Sequence, residues 1–478
     1  MRFSSQDQKI LKTVELFAKK RKLQLYLVGG ALRDLILGRK KTNPDFDFCL
    51  KKGAISFAGM LAKKLRCGFV VLDKEHGAAR LVKKLKDRVY TFDFTDFRGR
   101  DITEDLLHRD FTLNSIALKL EDALTNKDLS PLLIDPYRGR QDLKSKIIKT
   151  ANKTAFIEDP LRILRVFSFS ALLGFSIDEK TLRLAKIGKK RLSMVSPERI
   201  RDELFKIFDS PDASVYLGEL NKLKILEIIF PQLKRMRGIG QGPYHHLDVL
   251  EHTLETVSQV DLLIRQTKNK EVLGYLNEVI SGDRKRSALL RLGAILHDIG
   301  KPKALRREDD KLIFHGHERI GLGMAEELGR WLKLSNDEIN SLRKIVLWHL
   351  RPGYLADNKT LTARAKFRYF RDTGREAAGI LLLSVADQRA TKGSLSTRAS
   401  RIRHEKTCFG LINEYFSKDK EVKKPRLLNG DLLMKRFKLK PSPLIGKILS
   451  EIEELQAIGR IKTKAEAFKA ARKIIRKN

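Results

Sequence analysis

Two aspartates one residue apart, Asp45 and Asp47, alternate with Phe46 and Phe48. Side chains alternate along a strand, so the run puts both carboxylates on one face and both phenylalanines on the other. Carboxylates held this close repel each other unless a divalent cation lies between them, and hard oxygen ligands suit Mg²⁺. Fifteen residues before Asp45 stands the second of two glycines, Gly29 and Gly30. Glycines at a turn let the backbone approach a phosphate chain, whose charge the N–H groups and dipole of a helix start then favour. Arg33 adds a positive charge one turn into that helix. Alone, the glycines mark only a turn and the aspartates only a strand. In this order and at this spacing they are far more specific, placing a divalent cation beside a phosphate chain.

Positioning these residues takes a strand, a tight turn, a helix and a second strand. Residues 23–28 alternate before the glycines, and Leu32, Leu35 and Ile36 then share one helix face. Asn43-Pro44 marks a turn before the carboxylate strand. Around this unit the pattern predicts helices over 6–20 and 55–65 and strands over 68–72, 78–85 and 88–94. If the last of these pairs beside the Asp45/Asp47 strand, Asp93 supplies a third carboxylate able to polarise a hydroxyl. In the run LLHRDFTLNS, Arg109 can contact phosphate, and Asp110 or Asn114 can hydrogen-bond a ribose. The run EDPLRILR opens a helical region, with Pro160 suited to a first turn. Asp159, Arg162 and Arg165 are spaced three apart and are therefore expected as neighbours on one helix surface. Asp accepts hydrogen bonds and Arg only donates them. The pair can therefore take the amine and ring nitrogen of cytosine or adenine, whereas uracil and guanine present the opposite pattern.

A second constellation follows a Gly-rich turn at 238–242. Seven of the ten histidines lie between Tyr244 and Leu350. His252 sits in DVLEHTLETV, His297 and Asp298 in LRLGAILHDIGK, His317 in HGHERIG, His349 in IVLWHL and Asp387 in LLLSVADQRA. Each run has the apolar pattern of a packed helix, and buried polar side chains demand partners. Mixed nitrogen and oxygen ligands suit Mn, Fe, Co, Ni or Zn, and a paired site can direct water at a phosphate ester.

Composition agrees with a polyanionic partner. The 478 residues carry 97 Lys and Arg against 59 Asp and Glu, a formal charge of +38, which fits nucleic acid best. Three widely spaced cysteines, Cys49, Cys67 and Cys408, argue against a disulfide framework and a Cys-based zinc site. The start MRFSSQDQKI lacks the apolar core of a signal peptide and no apolar run reaches membrane length, so a cytoplasmic protein with no membrane partner is expected.

The Gly-Gly turn with its Asp-x-Asp strand resembles the head of polymerase-β-like nucleotidyltransferases. The run 108–115, HRDFTLNS, resembles the RRDFTINA signature of bacterial-type (class II) tRNA nucleotidyltransferases and poly(A) polymerases, with His108 and Ser115 as departures. EDPLR matches the family's EDxxR motif, Ser168 stands where an Arg is common, and SPERIRDEL matches the neck helix ERIxxEL. The segment from 241 on resembles the HD superfamily of metal-dependent phosphohydrolases, with His317 favoured over His315.

The resemblance implies an α+β head over 1–150 and an all-α remainder. That remainder comprises a neck and body over 151–240, an HD domain over 241–400 and a basic helical tail over 401–478. The tail carries 21 Lys and Arg against 9 Asp and Glu and is expected to contact tRNA, its last helix running over 450–477. The resemblance further implies that Gly29, Gly30 and Arg33 hold a triphosphate, Asp45 and Asp47 hold Mg²⁺ and Asp93 helps activate a 3′ hydroxyl. Arg109, Asp110 and Asn114 would fix the nucleotide, and Asp159, Arg162 and Arg165 would choose its base. His252, His297, Asp298 and Asp387 match core HD ligands, with His317 and His349 as the binuclear pair. The implied activity is addition or repair of the tRNA 3′-CCA end from CTP and ATP, with no protein partner inferred. Only nine residues separate Arg98 from His108, where enzymes that add C, C and then A carry a longer basic loop, so CC-only or A-only addition stays open. A poly(A) polymerase, and an HD phosphodiesterase regulated by a nucleotide-binding head, are the alternatives.

Overall fold

Six runs form one sheet in the computed structural model, which describes residues 3–39, 41–85, 88–309, 311–358, 360–419 and 425–476. They are β1 (Tyr26–Val28), β2 (Asp45–Leu50), β3 (Gly68–Asp73), β4 (Ala78–Leu85), β5 (Arg88–Asp96) and β6 (Ala117–Lys119), in the order β3-β4-β5-β2-β1-β6. Within this sheet only β2 and β5 pair in parallel, in a register that sets Asp45 beside Thr91 and Asp47 beside Asp93. Equal parity on two parallel strands sends their aspartates to one face and their aromatics to the other. On the aromatic face Phe48 stacks on Phe94 at 4.9 Å and Phe46 on Phe92 at 5.9 Å, all four buried. Helices Ala54–Leu65 and Ser5–Lys19 cover this face, Phe57 meeting Phe94 at 5.3 Å and Phe17 meeting Phe57 at 5.7 Å. The core thus lies behind the sheet and leaves the carboxylate face open for chemistry.

β1 starts at Tyr26 rather than 23, and β6, a strand the sequence pattern does not announce, flanks it in antiparallel pairing. The helix after the glycines is Gly29–Ile36. Downstream, the expected continuous helical start is broken. A short helix, Ala155–Glu158, ends at Asp159, whose backbone is extended (φ −143°, ψ 101°), and Arg162–Leu173 begins anew. Asp159 is therefore off the helix, and its three-residue spacing to Arg162 does not make them helix-face neighbours.

The chain falls into two compact units, residues 1–204 with 223–228, and 205–222 with 229–478. The second unit is largely helical. Its helix Ala377–Ala390 is apolar around nearly its whole circumference and buried from Ala377 to Ala386, as a central helix must be. Near the C-terminus, helices Gly430–Phe437, Pro443–Ala457 and Lys464–Ile475 enclose a core of their own around Leu433, Ile448, Ile452, Ala467 and Ala471. The single final helix expected over 450–477 is two helices. Gly459 takes a left-handed backbone (φ +76°), and Thr463 with Glu466 forms a capping box that restarts the second. Residues 420–424 and 477–478 of the expected tail lie outside the described residues. Among the described residues no helix is long and apolar enough to cross a membrane.

Candidate functional site

Asp45, Asp47 and Asp93 converge, each offering an oxygen within 4.8 Å of the others. Burial, and then Asp45, push the Asp47 carboxyl up to about 6, and burial followed by Asp93 also raises Asp45. Oδ1 of Asp45 is buried with no hydrogen-bond partner among the described residues. A crowded, underpartnered carboxylate group of this kind fits a hard divalent cation. Two neighbours fix its shape. Arg80 clamps Asp93 with two 2.7 Å hydrogen bonds from Nε and Nη2, and the Gly30 N–H donates to Asp47 Oδ2 at 3.3 Å. Gly29 has φ +68°, and a Cβ there would lie 2.6 Å from Asp47 Oδ2. The turn must therefore be glycine both for its backbone angle and for its closeness to the carboxylate.

The arginines expected on phosphate and base are held from within the protein. Arg33 is 3% exposed, donating to Asn114 Oδ1 at 2.9 Å and to Asp34 Oδ1 at 2.8 Å. Arg109 pairs with Asp105 at 3.1 Å. Asn114 in turn donates to Asp110 Oδ1 at 2.9 Å, and Asp110 Oδ2 accepts from Arg165 at 2.7 Å. Burial opposes ionisation of Asp110, but Arg165, Asn114 and Arg162 together outweigh it and hold the carboxyl below its ordinary range. Arg162 does not meet Asp159. Its Nη2 donates to the His108 carbonyl at 2.7 Å, while Asp159 accepts from Arg199 at 2.8 Å. Asp159 and Arg162 nevertheless border one cleft of about 990 Å³, together with Lys51, Lys52, Arg98 and Arg199. Asp73, Glu75, Asp96 and Glu158 share that lining, so the cleft presents basic and acidic side chains in equal measure.

In the second unit, helix ends bring six side chains together as two groups, His252, His297 and Asp387, and Asp298, His317 and His349. Asp298 lies between them, 3.2 Å from His297 Nε2 through Oδ2 and 3.2 Å from His317 Nε2 through Oδ1. His252 Nε2 is 2.9 Å from Asp387 Oδ1. The Nδ1 atoms of His297, His317 and His349 face the carbonyls of Ala294, Phe314 and Val346 at 2.8, 2.8 and 2.7 Å. A proton on Nδ1 donated to each carbonyl leaves the Nε2 lone pair aimed into the cluster, the tautomer a metal ligand needs. Nε2 of His252 and of His297 are buried beside the carboxylate oxygens of Asp387 and Asp298 without the geometry of a hydrogen bond to them. Burial holds His349 down to about 3, so it stays neutral. Burial opposes ionisation of Asp298, but His297 and Lys301 hold it well below the ordinary carboxylate range. The donor set fits a borderline transition metal.

Two residues at this cluster escape the sequence pattern. Lys301 Nζ lies 2.6 Å from Asp298 Oδ2 and 2.6 Å from Gln241 Oε1. Its place three residues after Asp298 was the available signal. His245 packs edge-on against His252 with ring centroids 4.7 Å apart, and burial lowers it to about 4. Its position in an irregular Gly-rich turn gave no such signal.

Three stretches match family models: 25–149 the poly A polymerase head domain, 174–236 the probable RNA and SrmB-binding site of polymerase A, and 249–389 the HD domain. An A-adding tRNA nucleotidyltransferase of Deinococcus radiodurans is 30% identical over 449 residues, covering 92% of this chain and 93% of that protein. A CC-adding tRNA nucleotidyltransferase of Synechocystis sp. is 28% identical over 453 residues, 94% of each. In fold, the chain is similar to the Thermotoga maritima CCA-adding enzyme solved in complex with tRNA. The TM-score is 0.63 at 23% identity, over 100% of this chain and 96% of that one.

Proposed function

Because the chain belongs to the class II tRNA nucleotidyltransferase/poly(A) polymerase family, with a head, an RNA-binding segment and an HD domain, we propose that it builds or repairs the 3′ end of tRNA with CTP or ATP, through the carboxylates of its head. At the level of class it is a nucleotidyltransferase of the CCA-, CC- or A-adding kind. The observation that carries the catalytic reading is the convergence of Asp45, Asp47 and Asp93 under the Gly29-Gly30 turn, with Asp47 raised to about 6. Asp45 and Asp47 would hold Mg²⁺, which when bound offsets the charge of the triphosphate and makes a 3′ hydroxyl more acidic. Asp93, oriented by Arg80, would accept the hydroxyl proton. Gly29 and Gly30 let the triphosphate approach the backbone. Arg33, Arg109, Asp110 and Asn114 form the wall that shapes the nucleotide's seat, and Asp159, Arg162 and Arg165 read its base.

The favoured finer reading is a partial enzyme, adding CC or the terminal A alone. The nine-residue segment after Arg98 is folded on itself, with the Arg98 N–H on Asp105 at 3.1 Å, the Arg100 N–H on Glu104 at 2.7 Å and a helix over Ile102–Leu107. That leaves little chain to act as a mobile loop. In the HD domain the six histidine and aspartate ligands would hold Mn, Ni, Co, Fe or Zn, which when bound polarises a phosphoester and activates water. Lys301 would keep Asp298 ionised. A division into head 1–150, neck and body 151–240, HD domain 241–400 and tail 401–478 belongs to the same proposal. It is supported by the matched segments and by the separate core near the C-terminus.

The test is incubation of the protein with tRNA lacking 0, 1, 2 or 3 terminal nucleotides, with Mg²⁺ and labelled CTP or ATP, resolved to single nucleotides. A stop after CC, or A added only to tRNA ending in CC, supports the partial enzyme. A complete CCA overturns the partial reading alone, and long A tracts on any RNA would move the assignment to poly(A) polymerase.

A further inference from the structure

The base-reading residues Asp159 and Arg165 are both gripped by one helix, Pro197–Phe208, through residues a turn apart. Arg199 Nη2 donates to Asp159 Oδ2 at 2.8 Å. Glu203, four residues on and 3% exposed, lies 3.7 Å from Arg165 Nη1 and accepts from Ser168 Oγ. Positions i and i+4 share a helix face, so one face presents a cation and then an anion. They meet an anion and a cation six residues apart on the base-reading segment.

We infer that Arg199 and Glu203 are positioning residues that set base choice by holding Asp159 and Arg165 in place. This rests on the base-reading role of Asp159, Arg162 and Arg165 given above. Asp159 sits in extended backbone between two helices, so no helical packing fixes its carboxylate. Arg199 fixes one oxygen, and the Leu161 N–H, at 3.2 Å, fixes the other. Arg165 is held on one side by Asp110 at 2.7 Å and on the other by Glu203. Its guanidinium also lies 5.2 Å over the Phe169 ring, the same ring that Arg33 approaches to 5.2 Å. A purely protein template rejects uracil only while its acceptors and donors cannot turn to suit it. A mismatched base then leaves buried groups unpaired. Loosening either end of the grip gives the template that freedom, and the wrong nucleotide gains more than the right one.

The decisive experiment uses the full-length protein and Arg199→Gln, Glu203→Gln and Arg199→Lys. It measures kcat/KM for UTP and for whichever of CTP and ATP the wild type uses, on a tRNA acceptor. Arg199→Gln and Glu203→Gln should each lower the ratio of cognate nucleotide to UTP about tenfold while cognate kcat changes about threefold or less. Arg199→Lys should recover part of the ratio. Arg199 is half exposed, so its variant retains the fold and can be judged even if Glu203→Gln melts early. A ratio unchanged in Arg199→Gln, or cognate and UTP rates falling in equal proportion, overturns the inference and leaves the helix a brace. A wild type that takes UTP as readily as CTP and ATP overturns the base-reading assignment itself, and the positioning role with it.

Discussion

Replacing Gly29 by alanine probes the geometry of the head at its tightest point. The residue has φ +68°, a left-handed backbone that an L side chain adopts at a cost of about 1 to 2 kcal/mol. The added Cβ would lie 2.6 Å from Asp47 Oδ2, where ordinary contact begins at 3.4 Å, so the carboxylate must retreat by roughly 0.8 Å. Misplacing a reacting group by about 1 Å costs on the order of a hundredfold in rate. The neighbouring Gly30 supplies the control. Its Cβ would meet Arg33 Nη2 at 3.7 Å and Asp47 Oδ2 at 4.0 Å, both ordinary distances. At saturating nucleotide, incorporation of labelled CTP or ATP into tRNA should therefore fall about a hundredfold in Gly29→Ala, whereas Gly30→Ala, beside the triphosphate's approach, should raise KM and leave kcat within a few-fold. Thermal melting of Gly29→Ala should drop by a few degrees at most. Activity within threefold of wild type in Gly29→Ala, or equal loss in both variants, would refute the argument that this turn places Asp47.

The raised Asp47 carboxyl makes the metal-free protein sensitive to pH. A native value of about 6 against an ordinary 3.8 means that ionising it costs roughly 3 kcal/mol at pH above 6. The native state binds the proton more tightly than the unfolded chain, so stability from this group is present below about pH 4 and is lost as pH rises towards 6. A cation that neutralises the site should therefore raise the melting temperature more at pH 7.5 than at pH 5, and an Mg²⁺-induced shift that is flat with pH would contradict this. In the HD cluster, Asp298 stands between four histidines. Asp298→Asn should lower the transition metal found by elemental analysis after purification while leaving nucleotide incorporation within about twofold. Unchanged metal content would remove Asp298 from the ligand set.

Much of the carboxylate face was legible because strand periodicity is a strict rule. The parity of Asp45 and Asp47 fixed their face, and the alternation of residues 88–94 offered Asp93 as a third carboxylate on condition that the two strands paired, whereas the parallel pairing and its register are set by the fold. What could not be read were the partners that long side chains choose across the fold. Arg80 on Asp93 and Arg33 on Asn114 join residues 13 and 81 positions apart, and no local pattern encodes them. The helical reading of Asp159 failed because Pro160 disfavours helical backbone in the residue before it, a rule that outweighs the three-residue spacing. The last helix was read as one piece because its apolar stripe runs through Gly459, where the left-handed turn interrupts the backbone. The metal-like cluster was legible as a set of apolar helices each carrying a histidine or aspartate. Which imidazole nitrogen faces inward depends on carbonyls one turn back, and only the folded backbone places them.

The most direct test of the central claim compares wild type with Asp47→Asn in transfer of nucleotide from CTP or ATP to the 3′ end of tRNA with Mg²⁺. The wild type should add at most the few C and A residues of a tRNA end. Asp47→Asn, folded and still binding tRNA, should lose that transfer at least about a hundredfold. No transfer by the wild type on any tRNA end, or transfer that Asp47→Asn leaves intact, would contradict it.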